Sequence, residues 1–348
     1  MNSENISKKI LHWYDNNKRP LPWRKKNTKK QHEYYTLVSE FMLQQTQVKT
    51  VIPYYLMWIK KYPTLSSVAE SNIDDLLKLW EGLGYYSRCR NFFKACQIIV
   101  SKYNGIIPAD FIKLTSLPGI GPYIAGAVLS IGFNKSQPAI DGNINRIMFR
   151  YLGLKNQTNY NKKRVCSKLM TFINVRPGDV IQSLMDLGSS ICKHSSVDCG
   201  KCPLSGSCKA FLNGEPLLFP LPKHKKVLPV KKIIAGLVRK NNKILIVKRK
   251  KDGALGGLWE LPMIIVSDNS DYSLFKSYLK NKYNLNLKIN NKIGNIIHSF
   301  SHYRMNISFF NCKSISTKIH INSNINNSKW ISRKEIDNYA FHKANHKL

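Results

Sequence analysis

The sequence predicts a two-domain protein in which an all-α domain, residues 1–212, precedes an α+β domain, residues 230–348. Three observations lead to this prediction. Apolar residues recur with helical spacing through the first part of the chain. Four cysteines lie close together near residue 200, and strand-like runs follow a proline-rich linker at residues 213–229. A chain of 348 residues is long enough to form two hydrophobic cores.

The charge of the chain predicts a polyanionic partner. Lys and Arg number 55 against 20 Asp and Glu, a net charge of +35, which makes nucleic acid the first candidate. The chain is also rich in Asn, Lys and Ile, as AT-rich coding sequences are, so the charge is supporting information only. A membrane surface is the weaker alternative, since no basic amphipathic segment stands out. The polar N-terminus predicts no signal peptide and hence a cytoplasmic location.

A helix is predicted over residues 35–50, after a basic loop at residues 25–32. Glu40 is the only carboxylate in this helix and lies beside Phe41. An apolar setting removes hydration from a carboxyl group and favours its protonated form, so Glu40 is a candidate acid. The alternative is a Glu on a solvated helix face. The glutamine-rich run at residues 44–47 offers hydrogen-bond donors and acceptors to a base edge.

Residues 82–88, GLGYYSR, place two aromatic side chains and a cation on a loop or at a helix start. Aromatic side chains in such a position can insert into a stack of bases. The alternative is that Tyr85 and Tyr86 are core residues of a helix.

Residues 117–121, LPGIG, predict a tight hairpin that leads into an apolar helix. Gly119 and Gly121 have no side chain to shield the backbone, and the N–H groups at the start of the following helix can bind a phosphate. Asp141 comes about one helix later and precedes another helix, predicted over residues 143–152. The alternative to a functional carboxylate is that Asp141 only caps this helix.

Four cysteines occur within seventeen residues in the pattern Cys192-x6-Cys199-x2-Cys202-x5-Cys208. Such a group binds a metal ion or a cluster. Zinc sites usually contain two C-x2-C pairs, and only one pair is present here, so the spacing favours a [4Fe–4S] cluster with zinc as the alternative. The remaining cysteines are expected to be ordinary thiols: Cys89, Cys96, Cys166 and Cys312.

The C-terminal part has the pattern of an α+β domain. Strands are predicted at residues 233–238 and 244–247 on either side of an Asn241-Asn242 turn. A helix is predicted over residues 272–283, and a further pair of strands within residues 296–310.

Together these motifs resemble the MutY-type family of A/G-specific adenine DNA glycosylases. The N-terminal part is similar to the helix-hairpin-helix glycosylase superfamily that includes endonuclease III, through LPGIG, Asp141 and the cysteine loop. Residues 39–47 and 82–86 narrow the resemblance to the adenine-removing branch. Residues 256–259 and 300–302 resemble that family's Nudix-like domain, which reads 8-oxoguanine.

The resemblance implies a monofunctional enzyme of base excision repair. It would flip adenine out of double-stranded DNA, remove it by hydrolysis from mispairs with 8-oxoguanine or guanine, and leave an abasic site. Glu40 would be the acid, and Asp141 would stabilise the cationic sugar. Tyr123 stands where bifunctional relatives have a lysine nucleophile and would orient Asp141 or the sugar. The implied adenine pocket comprises Arg24, Leu43, Val48 and Gln182.

The resemblance also implies the groups that hold DNA and the reader of the opposite base. The four clustered cysteines would bind one [4Fe–4S] cluster, and the chain is expected to act as a monomer. The implied DNA contacts are Gln45, Tyr85, Gly119 and Gly121. The implied readers of 8-oxoguanine are Phe300, Ser301 and His302.

The sequence departs from the family pattern in two places. Fifteen residues separate Arg24 from Glu40, a few more than usual, and Leu255 replaces a common tryptophan. Three alternatives remain: an endonuclease III-like lyase, a non-catalytic DNA-binding protein, and a Nudix hydrolase. Tyr123 argues against the lyase, and the pair of carboxylates argues against the second. Residues 263–283 contain no glutamate for magnesium, which argues against the third.

Overall fold

The computed structural model describes residues 3–25, 28–222, 227–250, 253, 255–267, 272–300, 303–315 and 327–342. The chain divides into two compact units. Unit 1 comprises Met1–Glu70 and Asn91–His224, and unit 2 comprises Ser71–Arg90 and Lys225–Leu348. By contacts Ser71–Arg90 groups with the C-terminal unit, whereas the sequence-based boundaries place this segment in the N-terminal domain.

Unit 1 is built from helices. The α-helices of the described chain are α1 (Ser3–Asn17), α2 (Lys29–Leu43), α3 (Val48–Lys61), α4 (Leu65–Ala69), α5 (Ile73–Leu79), α6 (Ser87–Tyr103), α7 (Phe111–Thr115), α8 (Pro122–Ala127), α9 (Gly142–Leu152), α10 (Asn159–Met170), α11 (Pro177–Ser190), α12 (Lys209–Leu212) and α13 (Tyr272–Tyr283). Of these, α5, α13 and the first residues of α6, up to Arg90, belong to unit 2.

The prediction of one helix over residues 35–50 was wrong. Gln45 has a left-handed backbone (φ 54°) and separates α2 from α3. The predicted basic loop was also too long, since α2 already begins at Lys29. Thr28 and Gln31 form a reciprocal capping box at this start, with Gln31 N donating to Thr28 Oγ1 at 3.4 Å.

A close backbone contact brings Asp141 to its place in unit 1. A Cβ atom added to Gly126 of α8 would lie 2.2 Å from the Pro138 carbonyl oxygen. Glycine is therefore required for the segment before Asp141 to pack against α8. Helices α1, α9, α10 and α11 enclose the adjoining core, whose buried members include Ile10, Phe149 and Leu184.

Unit 2 contains a seven-stranded mixed sheet. The central order is β3-β2-β1-β6-β5, with β4 paired to β1 and β7 to β2; β1 and β6 are parallel and the other pairs are antiparallel. The strands are β1 (Val230–Lys240), β2 (Lys243–Lys248), β3 (Trp259–Glu260), β4 (Met263–Val266), β5 (Leu287–Ser299), β6 (Arg304–Ser314) and β7 (Ser328–Ile331).

The sequence-predicted elements of the C-terminal domain are confirmed. Asn241 and Asn242 both have positive φ, as a two-residue hairpin between β1 and β2 requires. Helix α13 buries Phe275 and Leu279 against the sheet, and β5 and β6 form the predicted strand pair. The predicted fold class, a helical domain followed by an α+β domain, is confirmed. None of the helices in the described ranges has the length and apolar character needed to span a bilayer.

Candidate active site

Glu40 is a buried carboxyl group on α2, with 4% of its surface exposed. The Tyr123 hydroxyl donates a hydrogen bond to Glu40 Oε2 at 2.6 Å. Burial raises the pKa of Glu40 to about 7; the charge of Asp141 adds to the rise, and the Tyr123 hydrogen bond opposes it. The structure therefore brings Glu40, Tyr123 and Asp141 into one interacting group, with Glu40 able to carry a proton near neutral pH.

Asp141 caps the N-terminus of α9. Its Oδ1 accepts a hydrogen bond from Ile144 N at 2.7 Å, and its Oδ2 accepts one from Asn143 Nδ2 at 2.9 Å. Burial raises the pKa of Asp141, and these hydrogen bonds oppose the rise. The helix N-terminus thus favours the anion, as expected, but burial outweighs this effect on the pKa. Asp141 combines the capping role with a place beside Glu40.

A chain of hydrogen bonds holds Asn143 against Asp141. Arg146 Nη2 donates to Asn143 Oδ1 at 2.9 Å and to the Gly188 carbonyl at 2.6 Å, while Arg146 Nε donates to the Cys192 carbonyl at 2.9 Å. The Cys192 carbonyl, at the start of the cysteine loop, therefore helps to orient Asp141 through Arg146 and Asn143. Sequence reasoning missed Arg146, although its position one turn after Asn143 on the same helix was a usable signal.

A cavity beside Glu40 gathers all four residues of the implied adenine pocket. The residues lining it include Arg24, Leu43, Val48 and Gln182. They come from the segment before α2, the end of α2, the start of α3 and the middle of α11. Arg24 lines the cavity although a few more residues than usual separate it from Glu40.

Arg24 is held by a carboxylate that sequence reasoning missed. Arg24 Nη1 lies 2.6 Å from Asp186 Oδ2, and Arg19 Nε donates to Asp186 Oδ1 at 2.6 Å. Asp186 is 1% exposed. A single Asp within the apolar part of α11 was the available signal. Arg24 Nε remains buried without a hydrogen-bond partner in the described part of the chain.

The four clustered cysteines line one cavity in unit 1. Arg150 Nη1 lies 3.1 Å from Cys192 Sγ. Burial raises the pKa of Cys202 to about 12, so its thiolate needs a nearby positive centre. Within the described ranges, no three His, Cys, Asp or Glu side chains are arranged to hold a single metal ion. The four thiols line one space, and four thiolates are a donor set that zinc or an iron–sulfur cluster can take.

Two candidate DNA contacts have unusual backbone conformations. Among the described non-glycine residues with positive φ, all are Asn except Gln45 (φ 54°), Tyr85 (φ 50°) and Arg176 (φ 49°). Asn tolerates this region, whereas Gln and Tyr rarely adopt it, and such residues concentrate at functional sites. Tyr85 is 42% exposed in unit 2. Two of the residues that the resemblance implies as DNA contacts, Gln45 and Tyr85, are therefore held in strained backbone conformations.

The hairpin before α8 has the predicted tight geometry. Gly119 has φ +78°, and a Cβ atom there would lie 2.7 Å from Asn91 Cβ. Gly121 is exposed and caps α8. In unit 2, the Phe300 ring stacks on Tyr303 with centroids 5.0 Å apart. Ser301 and His302 lie outside the described residues.

Two family models and several known proteins match this chain. Residues 38–173 match the "HhH-GPD superfamily base excision DNA repair protein" family, and residues 234–348 match the "NUDIX domain" family. This chain is similar in fold to a thermostable thymine-DNA glycosylase, with TM-score 0.53, 24% identity and coverage of 60% of this chain and 95% of that chain. A trapped endonuclease III–DNA covalent intermediate gives TM-score 0.50 and 22% identity over 60% of this chain and 95% of that one.

Three relatives extend the similarity across both domains. The adenine DNA glycosylase of Buchnera aphidicola subsp. Baizongia pistaciae is 36% identical and covers 92% of this chain and 89% of its own. That of Arabidopsis thaliana is 31% identical over 88% of this chain and 57% of its own. The adenine DNA glycosylase of Homo sapiens is 28% identical, and the match covers 97% of this chain and 72% of that protein. The chain belongs to the adenine DNA glycosylase family.

Proposed function

We propose that this chain removes adenine by hydrolysis from mispairs with 8-oxoguanine or guanine in double-stranded DNA and leaves an abasic site. The observation that carries the proposal is the group formed by Glu40, Tyr123 and Asp141 beside a cavity of unit 1. It supplies a carboxyl group that holds a proton near pH 7 and a second carboxylate within electrostatic range. The family relationship supports adenine as the base that is released.

The chemistry proceeds in two stages. The enzyme extrudes adenine from the duplex, since the glycosidic bond is not accessible within the stack. Glu40 then donates its proton to N7 of adenine, and the weakened N-glycosidic bond breaks with the electron pair moving to the base. Asp141 as an anion stabilises the oxocarbenium-like sugar, and water adds to C1′ while its proton passes to the Glu40 carboxylate, which restores the acid. Arg24 Nε, which has no hydrogen-bond partner among the described residues, would hold the base in the cavity.

DNA binding uses separate groups. N–H groups of the Gly119–Gly121 turn would hold a backbone phosphate, and the net charge of +35 supplies sequence-independent affinity. Gln45 and Tyr85, held in left-handed conformations, would occupy the space beside the lesion pair. The segment that begins at Phe300 would read 8-oxoguanine. The chain would act as a monomer on chromosomal DNA in the cytoplasm.

The substrate test is single-turnover cleavage of duplexes that differ only in the base opposite adenine. We expect fast adenine release opposite 8-oxoguanine, slower release opposite guanine and little opposite thymine. Because Tyr123 replaces a lysine nucleophile, borohydride should trap little covalent DNA adduct. Release of oxidised pyrimidines with high-yield trapping would instead favour the lyase, and binding without release of any base would favour a non-catalytic DNA-binding protein.

Tyr123→Phe tests the proton on Glu40. The Tyr123 hydroxyl lowers the Glu40 pKa, so its removal should raise that pKa further. The rate of adenine release falls as Glu40 loses its proton, and this decline should move to higher pH in the variant. Tyr55→Phe is the matched control, because the buried Tyr55 hydroxyl has no hydrogen-bond partner among the described residues. If the pH profile of Tyr123→Phe were unchanged, the Tyr123 hydroxyl would have no influence on the Glu40 pKa.

We further propose that Cys192, Cys199, Cys202 and Cys208 hold one [4Fe–4S] cluster, with zinc as the alternative. When bound, the cluster supplies a fixed link between the end of α11 and the segment before α12. Anaerobically purified protein should show a broad absorption band near ~400 nm. Cys202→Ser should weaken this band strongly, whereas the matched Cys166→Ser should not. A colourless protein containing one zinc per chain would contradict the cluster.

A further inference from the structure

The cavity beside Glu40 collects two buried polar atoms that have no hydrogen-bond partner. Among the described residues of unit 1, such atoms are Arg24 Nε, Thr36 Oγ1 and Tyr55 Oη. Arg24 and Thr36 line the cavity, and Tyr55 does not. The cavity measures about 40 Å³, enough for a few water molecules. A base that displaces water there must replace its hydrogen bonds, so the two atoms together point to a ligand that bonds to both.

The Asp186 carboxylate engages the two terminal nitrogens of Arg24. Arg24 Nη1 donates to Asp186 Oδ2 at 2.6 Å, and Arg24 Nη2 donates to Asp186 Oδ1 at 3.1 Å. Nη1 also donates to the Arg19 carbonyl at 3.3 Å. Nε is the nitrogen left for a ligand, and a guanidinium nitrogen can donate a hydrogen bond but cannot accept one. Arg24 therefore calls for an acceptor, such as a ring nitrogen, on the base that enters the cavity.

Thr36 lies on the same face of α2 as Glu40, one turn earlier, and is 2% exposed. Packing is close here, since a Cβ atom added to Gly132 would lie 3.9 Å from Thr36 Cβ. Valine has the same branched shape and would fill this position without burying a hydroxyl group. Ser39, the other hydroxyl of this wall, donates to the Thr36 carbonyl at 2.9 Å. The Thr36 hydroxyl has no such role within the helix, so packing and helix structure do not explain it.

We propose that Thr36 is a specificity-determining residue whose hydroxyl oxygen accepts a hydrogen bond from the 6-amino group of the flipped adenine. This amino group is next to N7, the atom that Glu40 protonates in the proposed mechanism, so a side chain on the same helix face can reach it. Arg24 Nε then donates to N1 on the other side of the amino group. Guanine has an oxygen at position 6 and a proton on N1, which would face the Arg24 donor. The inference rests on the proposed function, since it assigns a reader to the base that Glu40 releases.

The experiment measures single-turnover base release by Thr36→Val and the parent chain from two duplexes. One contains adenine opposite 8-oxoguanine, and the other contains unsubstituted purine, which lacks the 6-amino group, in place of adenine. Thr36→Val should slow the release of adenine about tenfold and that of purine by less than about twofold. Thr36→Ser keeps the hydroxyl and should retain the parent's preference. Tyr55→Phe is the matched control, since it removes an unpartnered buried hydroxyl outside the cavity wall, and it should change neither rate.

Thermal unfolding separates this role of Thr36 from a structural one. Thr36→Val should unfold at or above the temperature of the parent chain, because it removes a buried hydroxyl that has no partner. A clearly lower unfolding temperature, equal slowing on both duplexes, or unchanged rates on both would each overturn the proposal. If the parent chain released neither base, the proposed function would fail together with this inference. If the parent chain released adenine and Thr36→Val kept the same preference, only the role of Thr36 would be wrong.

Discussion

Glu40→Gln is expected to lower the single-turnover rate of adenine release by about a thousandfold or more, because the variant has no carboxyl proton to donate. The amide has nearly the same shape and can still accept the Tyr123 hydrogen bond, which is 2.6 Å long in the parent chain. Binding of a duplex that contains adenine opposite 8-oxoguanine should therefore change little. The measurement is release of adenine with enzyme in excess, together with a binding assay on the same duplex.

The matched control is Glu33→Gln on the same helix. Glu33 is also buried, at 7% exposure, and burial raises its pKa as well, but it does not line the cavity beside Glu40. This variant should retain most of the activity. If Glu40→Gln kept the rate of the parent chain, the proton would have to come from another group and the mechanism proposed here would be wrong.

Glu40 also links pH to folding stability. Its pKa rises from an ordinary 4.5 to about 7 on folding, so the folded chain holds this proton more tightly than the unfolded chain. The resulting stabilisation is fully present below pH 4.5 and is lost as the pH rises through about 7. This part of the stability should therefore decline between about pH 4.5 and 7, activity should decline as the pH rises through about 7, and Glu40→Gln should flatten the dependence of stability on pH.

Sequence reasoning identified the parts of the site whose signals are local. The LPGIG hairpin depends on residues that are neighbours in sequence, and so does the spacing of the cysteines. Glu40 was identifiable because it is the only carboxylate within residues 35–50 and lies among apolar residues. The pairing of Arg24 with Asp186 was missed, since 162 residues separate them and local patterning carries no information on such a contact.

Long-range contacts explain why the sequence did not show how segment 71–90 groups. Segment 71–90 groups with unit 2 through contacts such as that of Phe341 N with Glu81 Oε1 at 2.6 Å, and that of Arg90 Nη1 with the Gly256 carbonyl at 2.6 Å. These partners are more than 160 residues apart in sequence. The break at Gln45 was missed because Gln is a good helix former, and its left-handed conformation is not predictable from propensity.

Asp141→Asn is expected to reduce adenine release by about a hundredfold to a thousandfold, the usual effect of removing one electrostatic stabiliser from an active site. Asn is also a good N-cap, so its side-chain oxygen can still accept the bond from Ile144 N and α9 should remain intact. The substitution therefore separates the charge of Asp141 from its structural role. The measurement is the single-turnover rate, together with thermal unfolding of the variant.

Asp110→Asn makes the same change at a second helix start. Asp110 caps α7, with its Oδ1 accepting from Lys113 N at 2.8 Å, and it has no place in the catalytic group. Both variants should unfold at temperatures close to that of the parent chain, and only Asp141→Asn should lose activity. Equal activity in the two variants would reduce Asp141 to a helix cap. The hydrogen bond from Asn143, which Arg146 holds in place, would then serve only to stabilise the start of α9. The effect of Asp141 on the Glu40 pKa would have no part in catalysis.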